Sequence, residues 1–188
     1  MNNRSLNLND SIEWLKAGKV LVHPTESIWG LGCDAFNENA LQLIFNIKNR
    51  PTSKNFILLA GSYSSIQNYI LKPNLEQKKL IETKWPGPYT FLFKYNENIP
   101  AHLKTENGKI AFRVSNHLPI KHLFERYKSF MVSTSANFSG KKNINCPNEI
   151  LKIFNNDNLA YYDELTGLQN KPSQIIDFTQ FNEYTESL

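Results

Sequence analysis

Three separated segments of the chain carry side chains that could do chemistry. They are Pro24-Thr25-Glu26-Ser27-Ile28-Trp29-Gly30-Leu31-Gly32, then Lys48-Asn49-Arg50-Pro51, then Ser133-Thr134-Ser135-Ala136-Asn137-Phe138-Ser139-Gly140. The first and third are rich in hydroxyl residues and glycine. The second sets two cations two positions apart. A nucleotide site needs fixed positive charge, hydroxyl donors and backbone that a ligand can approach closely. The three segments supply all of these, so the chain reads as an enzyme acting on phosphates.

Each feature also has a plain structural explanation. Lys48 and Arg50 suit the C-terminal end of a helix, where the dipole favours cations. Pro51 and Lys54 follow them directly, and Arg offers a planar fork for phosphate where Lys offers a mobile point charge. Ser133, Thr134, Ser135 and Asn137 could form an ordinary polar turn. Four hydrogen-bonding side chains within five residues at a strand end exceed what a turn requires, and ligands of α/β sheets often sit at strand ends. Thr25, Glu26 and Ser27 invite the same argument, although Glu26 could equally serve loop backbone. Trp29 reads as packing. Arg113 lies mid-strand after Phe112, so it must face solvent or a polar cleft, since burying it unpaired is costly. Familiar nucleotide motifs fail. Gly140-Lys141-Lys142 lacks both the earlier glycine and the final Ser/Thr of a P-loop. Gly30-Leu31-Gly32 lacks the third glycine of a dinucleotide fingerprint. No Gly-x-Ser-x-Gly elbow exists.

The elements that must hold these residues follow from pattern. Asp10 or Ser11 caps a helix from Ile12 to Ala17, and Val20-Leu21-Val22 is a buried strand stopped by Pro24. Asn37 caps a second helix through Leu41, Ile44, Phe45 and Ile47. Strands are expected at 56–59, 89–95, 110–114, 130–132, 159–162 and 174–178. Helices are expected at 64–70, 75–84, 119–127 and 148–154. The strand at 130–132 should run directly into a Ser133 loop. Strand–helix alternation is irregular, which favours an α/β fold with a twisted, mixed sheet flanked by helices over a purely parallel one.

Composition bounds the rest. The 188 residues fit a single domain spanning 1–188, and 40% hydrophobic with 12% aromatic content supports a real core. A net charge of +4 suits an anionic ligand or RNA without requiring either. No apolar run approaches bilayer length and no signal peptide is evident, so a cytoplasmic protein without membrane association is expected. Cys33 and Cys146 read as reduced thiols. His23, His102, His117 and His122 lack zinc spacing, so no protein-held metal is expected.

The three segments resemble those of the YrdC/TsaC family, the threonylcarbamoyl-AMP synthases. The family pattern is Pro-Thr-Glu-x-x-aromatic-Gly-Leu-Gly, Lys-x-Arg-Pro and Ser-x-Asn-x-Ser-Gly, all present here in order. Trp85-Pro86-Gly87-Pro88, Arg113-Val114 and Pro172-Ser173 resemble further family positions. The short length is similar to the single-domain bacterial form. The resemblance implies a YrdC-like fold with a concave basic groove. It implies synthesis of threonylcarbamoyl-AMP and pyrophosphate from L-threonine, bicarbonate or carbon dioxide, and ATP as substrate, with Mg²⁺ assisting. A tRNA threonylcarbamoyl-transfer complex would then modify the adenosine beside the anticodon of ANN-decoding tRNAs. It implies Lys48, Arg50, Ser135 and Asn137 as the catalytic tetrad. The same four, with Lys54, are implied to bind ATP. Ser27, Arg113, Ser133 and Ser173 are implied to bind threonine, with Arg113 suited to its carboxylate.

The chain departs from the family in places. Gln174 stands where Thr is common, and the late Arg-x-Gly is replaced by Phe181-Asn182-Glu183-Tyr184. The alternative reading is a non-catalytic module holding double-stranded RNA or tRNA by backbone contact. The basic balance permits weak RNA binding, but no RNA-recognition motif is present.

Overall fold

The computed structural model describes residues 4–49, 55–138, 141–169 and 173–178. In chain order the elements are β1 (Ser5–Leu6), α1 (Leu8–Lys16), β2 (Val20–Pro24), β3 (Trp29–Asp34), α2 (Glu38–Lys48) and β4 (Ile57–Leu59). Then come α3 (Tyr63–Ile66), α4 (Leu75–Lys84), β5 (Tyr89–Lys94), β6 (Lys109–Arg113), α5 (Leu118–Arg126) and β7 (Met131–Ser135). The described chain closes with α6 (Pro147–Phe154), β8 (Leu159–Tyr162) and β9 (Gln174–Asp177).

The nine strands among the described residues join one sheet in the order β1-β8-β2-β3-β7-β4-β6-β5-β9. The sheet is mixed, as expected. The β2–β3, β3–β7, β4–β7 and β5–β6 pairs are antiparallel, and the β1–β8, β2–β8, β4–β6 and β5–β9 pairs are parallel. Side chains alternate between faces, so two cores form. One face carries Val22, Leu31, Phe91, Phe112 and Val132 against α2, α4 and α6. The other carries Leu21, Leu59, Met131 and Ala160 against α1 and α5.

Several boundaries differ from the sequence reading for physical reasons. Helix α1 starts four residues early because Asn7, not Asp10 or Ser11, caps it, its side chain accepting from the Asp10 amide. Helix α4 has the bounds expected: Asn74 and Gln77 cap each other's backbone, a reciprocal pair that fixes a start sharply. The largest difference is β3, a central strand over the glycine-rich Trp29–Asp34 stretch, where no element was expected. The expected Ser133 loop is also strand, since β7 continues to Ser135.

Candidate functional site

Register brings the polar segments together. In the β2–β3–β7 ribbon, His23 lies opposite Gly30, and Gly30 opposite Ser135. Gly32 lies opposite Ser133, and Ser133 opposite Ile57 of β4. Ile57 pairs with Ala111, so Arg113, two positions further along β6, shares the face of Ser133 and Ser135. Thr90 of β5 pairs with Arg113 on the same face. Part of this face lies under α1 and α5; Ser133, Ser135 and Arg113 remain partly exposed.

The turn between β2 and β3 is built by Thr25. Its hydroxyl accepts from the amides of Ser27 and Ile28 and donates to the Ile28 carbonyl. Glu26 is thereby turned inward and is only 5% exposed. One carboxylate oxygen accepts from the Ser115 hydroxyl at 2.7 Å, and the other pairs with the Arg113 guanidinium at 2.6 Å. Arg113 also donates through Nε to the Gly87 carbonyl at 3.3 Å. A guanidinium has about five N–H donors in a rigid fork. These contacts use two of them, and the others have no acceptor among the described residues. Arg113 is therefore locked in orientation with hydrogen-bonding capacity left over. The 163–169 loop closes behind the turn: the amides of Gly167 and Gln169 donate to the carbonyls of Thr25 and Glu26. A Cβ on Gly167 would stand 2.5 Å from the Glu26 carbonyl oxygen, so this approach requires glycine.

Lys48 ends helix α2 and is 1% exposed, which is not the solvated helix end that charge at a C-terminus suggests. Its ammonium donates to the main-chain carbonyls of Ser135 and Asn137, just where β7 ends. Next to it, the Ser135 hydroxyl donates to the Asn137 side-chain carbonyl at 2.6 Å. The Asn137 amide nitrogen in turn donates to the Lys141 carbonyl. Lys48, Ser135 and Asn137 thus form one connected group that shapes the backbone after β7. Asn49 follows in the left-handed conformation, φ 47°, a conformation asparagine tolerates. Arg50 and Lys54 lie outside the described residues, as do Pro172 and the segment standing in place of the late Arg-x-Gly.

Ser173 reaches Thr90, hydroxyl to hydroxyl at 3.0 Å, beside Arg113. The Ser27 side chain is half-buried in the turn. Trp29 is 7% exposed and donates through its indole to the Asn145 carbonyl, so it packs rather than stacks on a ligand.

Sequence reasoning passed over His23, Thr90 and Ser115. His23 is fully buried, with its ring between β2 and the hydroxyl of Ser133. A Cβ at Gly30 would lie 2.6 Å from its Cε1 and Nε2, and one at Gly32 would lie 3.0 Å from its Cδ2. The Gly-x-Gly spacing on a strand was the available signal: two glycines on one face clear a slot for a ring. Burial lowers the His23 pKa to about 4 from 6.5, outweighing the raising effects of the Pro24 carbonyl and Glu26; His117 and Arg113 lower it further. A group held neutral below its unfolded value stabilises the fold above about pH 6.5. That stability is lost as the pH falls towards 4. Between pH 7.5 and pH 5 this one group should remove about 2 kcal/mol. Thermal melts at the two pH values should therefore show a larger loss for the native chain than for His23→Gln. Equal losses would place the ring in a wetter setting than its burial indicates.

The fold and these side chains define an α/β protein with a polar, partly exposed cluster on one sheet face, a setting suited to a small anionic or zwitterionic ligand. The sequence model of the Sua5/YciO/YrdC family, described as telomere recombination, matches residues 13–186, and the chain belongs to that family. Among its relatives, threonylcarbamoyl-AMP synthase of Buchnera aphidicola is 38% identical over 160 residues, 84% of either chain. Threonylcarbamoyl-AMP synthase of Acinetobacter baumannii is 35% identical over 90% of this chain and 92% of its own. The crystal structure of P. abyssi Sua5 complexed with L-threonine superposes with a TM-score of 0.79 and 26% identity. The match covers 92% of this chain but 51% of the Sua5 chain, so the chain spans about half the length of that relative. Among the described residues no helix is long and apolar enough to cross a membrane.

Proposed function

We propose that the chain is an L-threonylcarbamoyladenylate synthase. The observation that carries this reading is Arg113. It is fixed on the sheet face by Glu26 and the Gly87 carbonyl and has N–H donors without an acceptor among the described residues, with Ser133 on the same face and Ser173 beside its neighbour Thr90. In this reading the guanidinium takes the threonine carboxylate, and Ser27, Ser133 and Ser173 take its remaining polar groups. Lys48, Ser135 and Asn137 shape the backbone that receives ATP, and Arg50 and Lys54 supply charge for its phosphates. The amine of threonine condenses with bicarbonate to a carbamate, releasing water. A carbamate oxygen attacks the α-phosphorus, and the bond to pyrophosphate breaks. The work is positioning and charge stabilisation; no side chain need bond covalently to substrate.

Among the described residues no group of acidic, histidine or cysteine side chains forms a metal cluster, and the Glu26 carboxylate is already shared between Arg113 and Ser115. In this reading Mg²⁺ enters as part of the ATP substrate. The product passes to a tRNA threonylcarbamoyl-transfer complex in the cytoplasm, with any direct RNA contact weak. The relatives that match most of the chain carry the synthase name, which favours catalysis over a passive RNA-binding module. The test is pyrophosphate release from ATP. It is expected to need L-threonine and bicarbonate together; release at the same rate without threonine would overturn the reading.

A further inference from the structure

The hydrogen-bond directions around His23 follow from its neighbours. Its Nδ1 lies 3.1 Å from the carbonyl oxygen of Pro24. A carbonyl only accepts, so Nδ1 carries the proton. The ring is fully buried and neutral, with Nε2 bare. Nε2 lies 3.2 Å from the Ser133 hydroxyl, so that hydroxyl donates to it. Serine has a single O–H to give. Its remaining capacity is to accept, and Ser133 is partly exposed on the face that holds Arg113 and Ser135. The ring cannot drift from this position without meeting β3, because Gly30 and Gly32 form the slot it occupies.

We infer that His23 is a positioning residue that turns Ser133 into an acceptor-only group, so that Ser133 selects a substrate donor, an N–H or O–H of the amino acid. The inference rests on the reading of this face as the threonine site. A serine free to rotate would meet a donor or an acceptor equally well. One whose proton is committed penalises any ligand that presents an acceptor there, because a buried polar pair would be left unmatched.

The experiment measures pyrophosphate release against threonine concentration in four variants. His23→Phe fills the slot without a nitrogen. It should raise the threonine KM about tenfold, the worth of one lost hydrogen bond, with kcat changing much less. His23→Gln, which places an acceptor near the position of Nε2, should recover most of the loss. In a Ser133→Ala background, adding His23→Phe should cost less than about twofold more, since coupled residues are not additive. Equal losses from His23→Phe with and without Ser133, an unchanged KM, or Gln performing no better than Phe would each overturn the inference while leaving the synthase reading intact. A native chain that releases no pyrophosphate in response to threonine would overturn both. Melting temperatures of all four variants separate a folding defect from a binding one, and a loss of KM that tracked melting temperature alone would count against the inference.

Discussion

Replacing Arg113 with methionine is expected to cost about 3–5 kcal/mol of stability and to abolish threonine-dependent turnover. The stability term comes from Glu26. Its carboxylate side chain is 7% exposed, and without the guanidinium it retains the Ser115 hydroxyl and little else to offset its burial. Breaking a buried pair from one side leaves the other charge uncompensated, which is worse than removing both. Adding Glu26→Gln to Arg113→Met should therefore restore about 1–3 kcal/mol relative to the sum of the single changes. Activity should not return, because the fork assigned to the threonine carboxylate is still missing. Chemical denaturation of the four chains measures the first point, and threonine-dependent pyrophosphate release the second. Additive stability losses would show that the pair is too well hydrated to act as described. Recovery of turnover in the double variant would remove Arg113 from the site.

The second large effect is expected at Lys48. A lysine that contacted only nucleotide could be exchanged for methionine with little effect on the fold. Here the ammonium is bonded to the carbonyls of Ser135 and Asn137. Lys48→Met removes those donors from buried acceptors. The Ser135 carbonyl keeps the Asn137 amide, whereas the Asn137 carbonyl loses its donor, a change worth about 1–3 kcal/mol. At this chain length that lowers the melting temperature by about 3–9 °C. Turnover should fall as well, because the backbone after β7 is then free to leave the geometry that Asn137 and Lys141 share. Full thermal stability with lost turnover would reverse the assignment and make Lys48 a ligand contact alone.

Much of the fold was legible because its causes are local. Apolar runs such as Leu159–Tyr162 have few other uses than a buried strand. The helix expected at 75–84 is α4, Leu75–Lys84. Strand β3 was not legible, because glycine argues against a strand unless something must approach it closely. The something is His23, on a neighbouring strand, and nothing near Gly30 announces it. Ser133–Ser135 looked like a loop because polar residues on a central strand contradict the usual pattern. They are tolerated here because part of that face is not covered by helix.

The site was legible as a set of residue types and not as a set of contacts. The Glu26–Arg113 pair joins positions 87 apart in sequence, and Lys48 reaches carbonyls 87 and 89 residues away. Long-range pairing of this kind leaves no periodic trace. The dipole argument for a cation at the end of α2 placed Lys48 correctly along the helix but in the wrong environment, since the carbonyls after β7 compete with water for the ammonium.

One carbon from bicarbonate should be joined to threonine and AMP on this chain. The most direct test incubates the protein with ATP, L-threonine and isotopically labelled bicarbonate and follows the products by mass spectrometry. A single adduct containing threonine, AMP and the labelled carbon is expected, formed in step with pyrophosphate. An adduct of threonine and AMP without the label would mean an ordinary aminoacyl adenylate and would rule out carbamate chemistry on this chain.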